Sequence, residues 1–140
     1  MKPKGYLSAL VLTLLFVAQN ATAQFGVSFH QSRIGFVGIN YEAGRHFMAE
    51  FRISTDVLFE TLALEGIGAL RIGRSEEINP YVGLGFRFDP ENLGAGILLP
   101  IGMNIYPFEN KRFGFHLELA PIVGENAIVR GSWGIRYRFL

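Results

Sequence analysis

The chain contains no cysteine, so disulfides and thiolate metal sites are excluded. Beyond residue 23 it is also short of lysine: Lys111 stands alone against ten arginines. Long apolar runs are missing there too. The longest, Ile97 to Met103, is interrupted by Pro100 and Gly102, and about 20 apolar residues are needed to cross hydrocarbon as a helix. Helix formation is disfavoured throughout. Of 17 glycines, all but Gly5 lie in the later part, spread through its apolar segments, and each costs a helix interior about 1 kcal/mol. Large charge of either sign is absent. The net charge of +1 falls to −1 once Lys2 and Lys4 are set aside, which gives no electrostatic case for nucleic acid.

The first 23 residues read as a secretory signal peptide. Lys2 and Lys4 form a positive start, Leu7 to Ala18 is apolar apart from Ser8 and Thr13, and Ala21-Thr22-Ala23 is a small-x-small cleavage site. The alternative, a membrane anchor, needs a longer apolar stretch than this one. Cleavage before Gln24 leaves residues 24–140 as one domain without linker, repeat or low-complexity segment.

Period-two alternation dominates that domain. Val129, Trp133, Ile135, Tyr137 and Phe139 share one face, and Arg130, Ser132, Gly134, Arg136 and Arg138 the other. Phe113, Phe115, Leu117 and Leu119 alternate with Gly114, His116, Glu118 and Ala120. Phe47, Ala49, Phe51 and Ile53 alternate with His46, Met48, Glu50 and Arg52, and Val82, Leu84, Phe86 and Phe88 with Tyr81, Gly83, Gly85 and Arg87. Turn-forming residues separate these runs at Gln31-Ser32, Ala43 to Arg45, Thr55-Asp56, Arg74 to Asn79, Asp89 to Asn92, Pro107 to Lys111 and Gly124 to Asn126. Seven turns predict eight strands, at 24–30, 33–42, 46–54, 59–73, 80–88, 94–106, 112–123 and 127–139. The first is the shortest.

Eight alternating strands fit a soluble barrel with its apolar face inside, or an outer-membrane barrel with that face outside. The composition of the faces favours the second. The apolar face is large and aromatic, and an eight-stranded barrel has little interior room to hold it. The other face mixes small residues with Arg and Glu, suited to a narrow lumen in which planar guanidinium groups pair with carboxylates. The fold expected is an all-β, eight-stranded, antiparallel, up-and-down transmembrane barrel. Glu50, Arg52, Glu65, Arg71, Arg87, His116, Glu118, Arg130 and Arg136 are its expected interior polar network. With both termini in the periplasm, Tyr41, Phe47, Phe113, Tyr137 and Phe139 mark one aromatic girdle, and Phe29, Phe59, Phe86 and Phe88 the other.

The C-terminal Trp133-Gly134-Ile135-Arg136-Tyr137-Arg138-Phe139-Leu140 resembles the terminal signal strand of outer-membrane barrels. Gly134, Tyr137 and Phe139 match it, with Leu140 following where the family usually ends on the aromatic. With the signal peptide and the strand count, the whole mature chain is similar to the small OmpA/OmpX-type barrels. The resemblance implies residence in a bacterial outer membrane, contact with its lipid including lipopolysaccharide, and recognition of Gly134, Tyr137 and Phe139 by the barrel-assembly machinery. Family members often carry adhesive or receptor functions on long external loops. Here the outward turns, at Gln31-Ser32, Thr55 to Leu58, Asp89 to Leu93 and Gly124 to Asn126, are short.

The lumen charges admit two readings. They form an ion-conducting path, or they neutralise one another as a structural plug, which the small strand count favours. His116 and Glu118 share a face, but with His30 and His46 on early strands no second histidine is assigned beside them and no zinc ligand set is visible. His30-Gln31-Ser32 is similar in spacing to the Ser and His of lipid A deacylases, although His30 is in phase with inward Ser28 and Gly26. Gly66-Ile67-Gly68 and Gly83-Leu84-Gly85 precede no helix and are not nucleotide loops. The expected function is a non-enzymatic outer-membrane barrel with an envelope-structural or interaction role and no cofactor. A narrow pore, a lipid A-modifying enzyme and a soluble periplasmic barrel are the alternatives.

Overall fold

An extended strand directs its backbone hydrogen bonds laterally and sends successive side chains to opposite faces. A computed structural model describes residues 23–55, 62–73, 75–89 and 94–139. Its strands are β1 (Ala23–Gln31), β2 (Gly35–Ala43), β3 (Phe47–Ser54), β4 (Leu64–Arg71), β5 (Ile78–Asp89), β6 (Gly94–Leu98), β7 (Ile101–Ile105), β8 (Phe113–Val123) and β9 (Ala127–Phe139). Every pairing is antiparallel. Neighbours in sequence pair in turn, and β1 returns to β9 from Phe25 opposite Phe139 to Gln31 opposite Trp133. The sheet therefore closes on itself and leaves no edge.

Nine segments occupy eight positions. β6 and β7 both pair with β5 on one side and β8 on the other. The continuous strand expected over 94–106 is broken at Leu99-Pro100 because Pro100 has no N–H to give a ladder. The seam holds across the break. Leu99 N donates to Pro121 O at 2.9 Å, and Gly83 N donates to Pro100 O at 2.8 Å.

Three other boundaries differ from expectation. β1 runs to Gln31 and is fully paired with β2, so it is a complete closing strand. β5 begins at Ile78, which takes Asn79 out of the expected turn and places Pro80 opposite Met103. β4 begins at Leu64 rather than at residue 59. The expected girdle residue Phe59, most of the turn after Thr55, and the expected turn residues Pro90 to Leu93 lie outside the described residues, as do Met1 to Thr22.

The two faces are inverted relative to a soluble barrel. On β3, Met48, Glu50, Arg52 and Ser54 are buried while Phe47, Phe51 and Ile53 are exposed. On β9, Ser132, Arg136 and Arg138 are buried while Trp133, Ile135, Tyr137 and Phe139 are exposed. A continuous apolar belt thus covers the outside, far beyond the patch size of a typical soluble monomer. Aromatic rings meet at the end that carries the termini: Phe25 with Tyr41 at 5.1 Å, Phe113 with Phe115 at 5.4 Å, and Tyr137 with Phe139 at 5.3 Å.

Candidate functional site

The lumen holds the chemistry, because every strand except β6 sends polar residues there. Its charged groups form three tiers. In the middle tier, Glu50 accepts from Arg52 Nε at 2.6 Å, from Ser28 Oγ at 3.1 Å and from Arg136 Nη2. The Arg52 guanidinium reaches Glu118 with Nη1 and Nη2, each at 2.7 Å. Tyr81 donates its hydroxyl to the same carboxylate at 2.5 Å, and Arg136 Nη1 donates to Asn104 Oδ1 at 2.7 Å. In the upper tier, Glu65 accepts from both terminal nitrogens of Arg130 and from Arg87 at 3.1 Å. Arg87 also donates to Asp89 at 2.9 Å. Arg52 ties these two tiers together, 3.6 Å from Glu65. In the lower tier, at the termini end, Glu42 accepts from Arg71 at 2.7 Å and from Arg138 at 2.9 and 3.1 Å. The Arg138 guanidinium lies over the Tyr106 ring at 3.6 Å.

Position around the barrel gives these bonds their meaning. β3 and β8 are four places apart in an eight-place ring, and so are β4 and β9. Arg52 to Glu118 and Arg130 to Glu65 therefore span the full diameter by direct hydrogen bonds. At both levels side chains from opposite walls touch. Apolar groups fill the remaining sectors, with Met48, Ile67, Ala69 and Tyr81 in one and Leu98, Ala120 and Ile122 in another.

Glu50, Arg52, Glu65, Arg87, Glu118, Arg130 and Arg136 thus meet in one linked network. Arg71 does not join it, because the end of β4 places it at the mouth with Glu42. His116 is buried with them but makes no hydrogen bond from either ring nitrogen among the described residues. The expectation that His116 has no histidine neighbour is corrected: its ring centroid is 3.9 Å from that of His30. Closure is the reason. β1 lies against β9 and β9 against β8, and His30 and His116 are both in register with Gly134. Gly134 has no side chain, so the rings meet over it. A Cβ there would run into the Phe29 carbonyl oxygen and the His116 ring. His46 is not inward at all; it is exposed in the turn before β3.

His30 pairs with Glu50 and Ser28 rather than with Ser32. Ser32 Oγ donates to the Ile34 carbonyl at 2.9 Å, while His30 Nε2 lies 2.5 Å from Glu50 and 3.1 Å from Ser28 Oγ. A serine–histidine–carboxylate relay needs the two imidazole nitrogens on different partners. Here Nε2 meets both, and Nδ1 has no partner among the described residues. Among those residues no three His, Asp or Glu side chains converge on a metal position.

Glu42, Asp89, Tyr81, Asn104 and Arg138 are members of these tiers that the expected network omitted. Arg138 and Tyr81 were legible from their phase on the inward face. Asp89 was hidden by its turn-like neighbours, and Glu42 by its place at a strand end. Of the three residues expected to form a C-terminal signal, Gly134 faces the lumen, and Tyr137 and Phe139 face outward.

The fold is that of a small transmembrane β-barrel. A designed protein from work titled "De novo design of transmembrane beta-barrels" matches with a TM-score of 0.59 at 14% identity, over 84% of this chain and 94% of that one. The N-terminal β-barrel domain of Pseudomonas aeruginosa OprF matches at 0.60 and 13%, over 84% and 96%. The Yersinia pestis outer membrane protein Ail, in a phospholipid bilayer nanodisc, matches at 0.58 and 12%, over 84% and 98%. No family model and no curated protein matches the sequence. Identities this low carry the fold alone. A transmembrane barrel of this size explains why the aromatic belt is outside and the carboxylates are inside.

Proposed function

We propose that the chain resides in a bacterial outer membrane as a non-enzymatic barrel with an envelope-structural or interaction role, its lumen a structural plug. The observation that carries the plug is the pair of hydrogen-bonded bridges across the diameter, Arg52 to Glu118 and Arg130 to Glu65. The exposed apolar belt supports residence in lipid, lipopolysaccharide included, where a closed barrel satisfies every backbone group internally. The C-terminal strand, with Gly134, Tyr137 and Phe139, is the segment offered to the barrel-assembly machinery.

The first test is fractionation with a heat-modifiability gel, followed by planar-bilayer recording. The expected result is a heat-modifiable membrane protein with no stepwise conductance. A freely soluble product overturns the membrane reading. Stepwise conductance abolished by Glu65→Gln overturns the plug. Mass spectrometry of lipid A with and without the protein addresses the enzymatic alternative, and loss of an acyl chain overturns the non-enzymatic reading.

A further inference from the structure

The central and upper lumen is balanced in charge. Arg52, Arg87, Arg130 and Arg136 face Glu50, Glu65, Glu118 and Asp89, four against four. The mouth at the termini end is not. It forms an open cavity of about 440 Å³ lined by Arg45, Arg71, Lys111 and Arg138 against Glu42 and Glu76, and with Glu77 paired to Lys111 it keeps an excess of one positive charge. That volume lies within the usual range of small-molecule sites. We propose that this mouth binds a phosphate-type oxyanion.

Three features point there. First, one carboxylate, Glu42, serves two arginines whose side chains are only 8% and 9% exposed. Their positive charge is thus held in a partly desolvated cup, where attraction to an anion is screened less than at an open surface. Arg71 Nε has no acceptor among the described residues. Second, Lys111 is the sole lysine beyond residue 23, and it stands at this mouth. It is also the one non-glycine residue with positive φ, 49°, among those described. Such a backbone persists where its surroundings hold it, and ligand clamps are a common setting. Its Nζ is held by the Tyr106 carbonyl at 3.2 Å and by Glu77 at 3.1 Å, and the Glu77 side chain is 69% exposed. An arriving anion can displace so exposed a partner at small cost. Third, the donor set suits phosphate: planar guanidinium forks beside a compact ammonium. With the termini in the periplasm, as the sequence leads one to expect, the mouth opens there, but binding itself does not depend on that orientation.

The experiment titrates inorganic phosphate, at low ionic strength, into the barrel refolded in a phosphate-free amine-oxide detergent, read by calorimetry and ³¹P line width. Saturable binding at one site is expected, weakened about tenfold in Lys111→Gln and in Arg45→Gln, the loss of one charged hydrogen bond each. Arg33→Gln, exposed at the opposite end, is expected to bind as the unaltered protein does. Arg45 is exposed in a turn, so its variant keeps the test open if another fails to fold; heat modifiability reports folding for each. Absence of saturable binding, or equal affinity in all three variants, overturns the site. Reconstitution in phosphatidylcholine vesicles with and without phosphatidylglycerol separates the sources. Competition by the anionic lipid assigns the site to a headgroup, and its absence assigns it to a soluble phosphate compound.

Discussion

Arg52 holds the lumen together. It bonds Glu50 and Glu118, approaches Glu65, and is 1% exposed. Removing one partner of such a set leaves carboxylates buried without enough positive charge, at about 3–5 kcal/mol. Arg52→Met is therefore expected to destabilise the barrel by about that amount in urea unfolding, and Arg52→Met with Glu118→Gln to recover part of it. Trp133, exposed on the outer face, is the only tryptophan and serves as the fluorescent probe. An unchanged midpoint in the single variant would show that the network bears no stability. At this scale the sequence was informative about charge type: the excess of arginine over lysine pointed to paired interior cations, and six of the ten arginines, Arg52, Arg71, Arg87, Arg130, Arg136 and Arg138, are paired in the lumen. It was uninformative about the His30–His116 contact. That contact joins the first strand to the next-to-last one and exists only after closure.

The seam between β1 and β9 is where closure happens, and Gly134 sits on it. The proposed C-terminal signal would be one reason for glycine there, and the Phe29 backbone and the His116 ring packed against its inner face give another. Gly134→Val is expected to lower the folded, heat-resistant fraction even in spontaneous refolding from urea into detergent, where no assembly machinery is present. Normal refolding there would leave the signal role as the sole reason. Strand phases were legible in the sequence because period two is insensitive to small boundary errors. Boundaries at Pro80, Pro100 and Leu64 were not, since each depends on which neighbour takes up the freed backbone groups. Gly83 and Pro121 take them up around Pro100.

For the whole molecule, the decisive question is what surrounds the apolar belt. Leu84 lies mid-strand on β5 and is 56% exposed. In water Leu84→Arg would be close to neutral, whereas at a bilayer midplane it costs about 2–4 kcal/mol. A drop of that size in stability in lipid vesicles, beside little change for Arg33→Gln at the rim, is the expected outcome. A neutral Leu84→Arg would remove the belt from hydrocarbon. The inside-out arrangement was legible from face composition because a narrow ring cannot house so many aromatic rings. The three tiers were not, because they depend on which strands stand opposite. One strand is common to all three. β9 supplies Arg130 to Glu65, Arg136 to Glu50 and Arg138 to Glu42. Without β9, three arginines would face five carboxylates, where the complete lumen sets six against five. β9 thus carries the counter-charge for the carboxylates of β2, β3 and β4. One strand therefore both seals the wall, against β1 and β8, and neutralises an interior that would otherwise be acidic and unbraced.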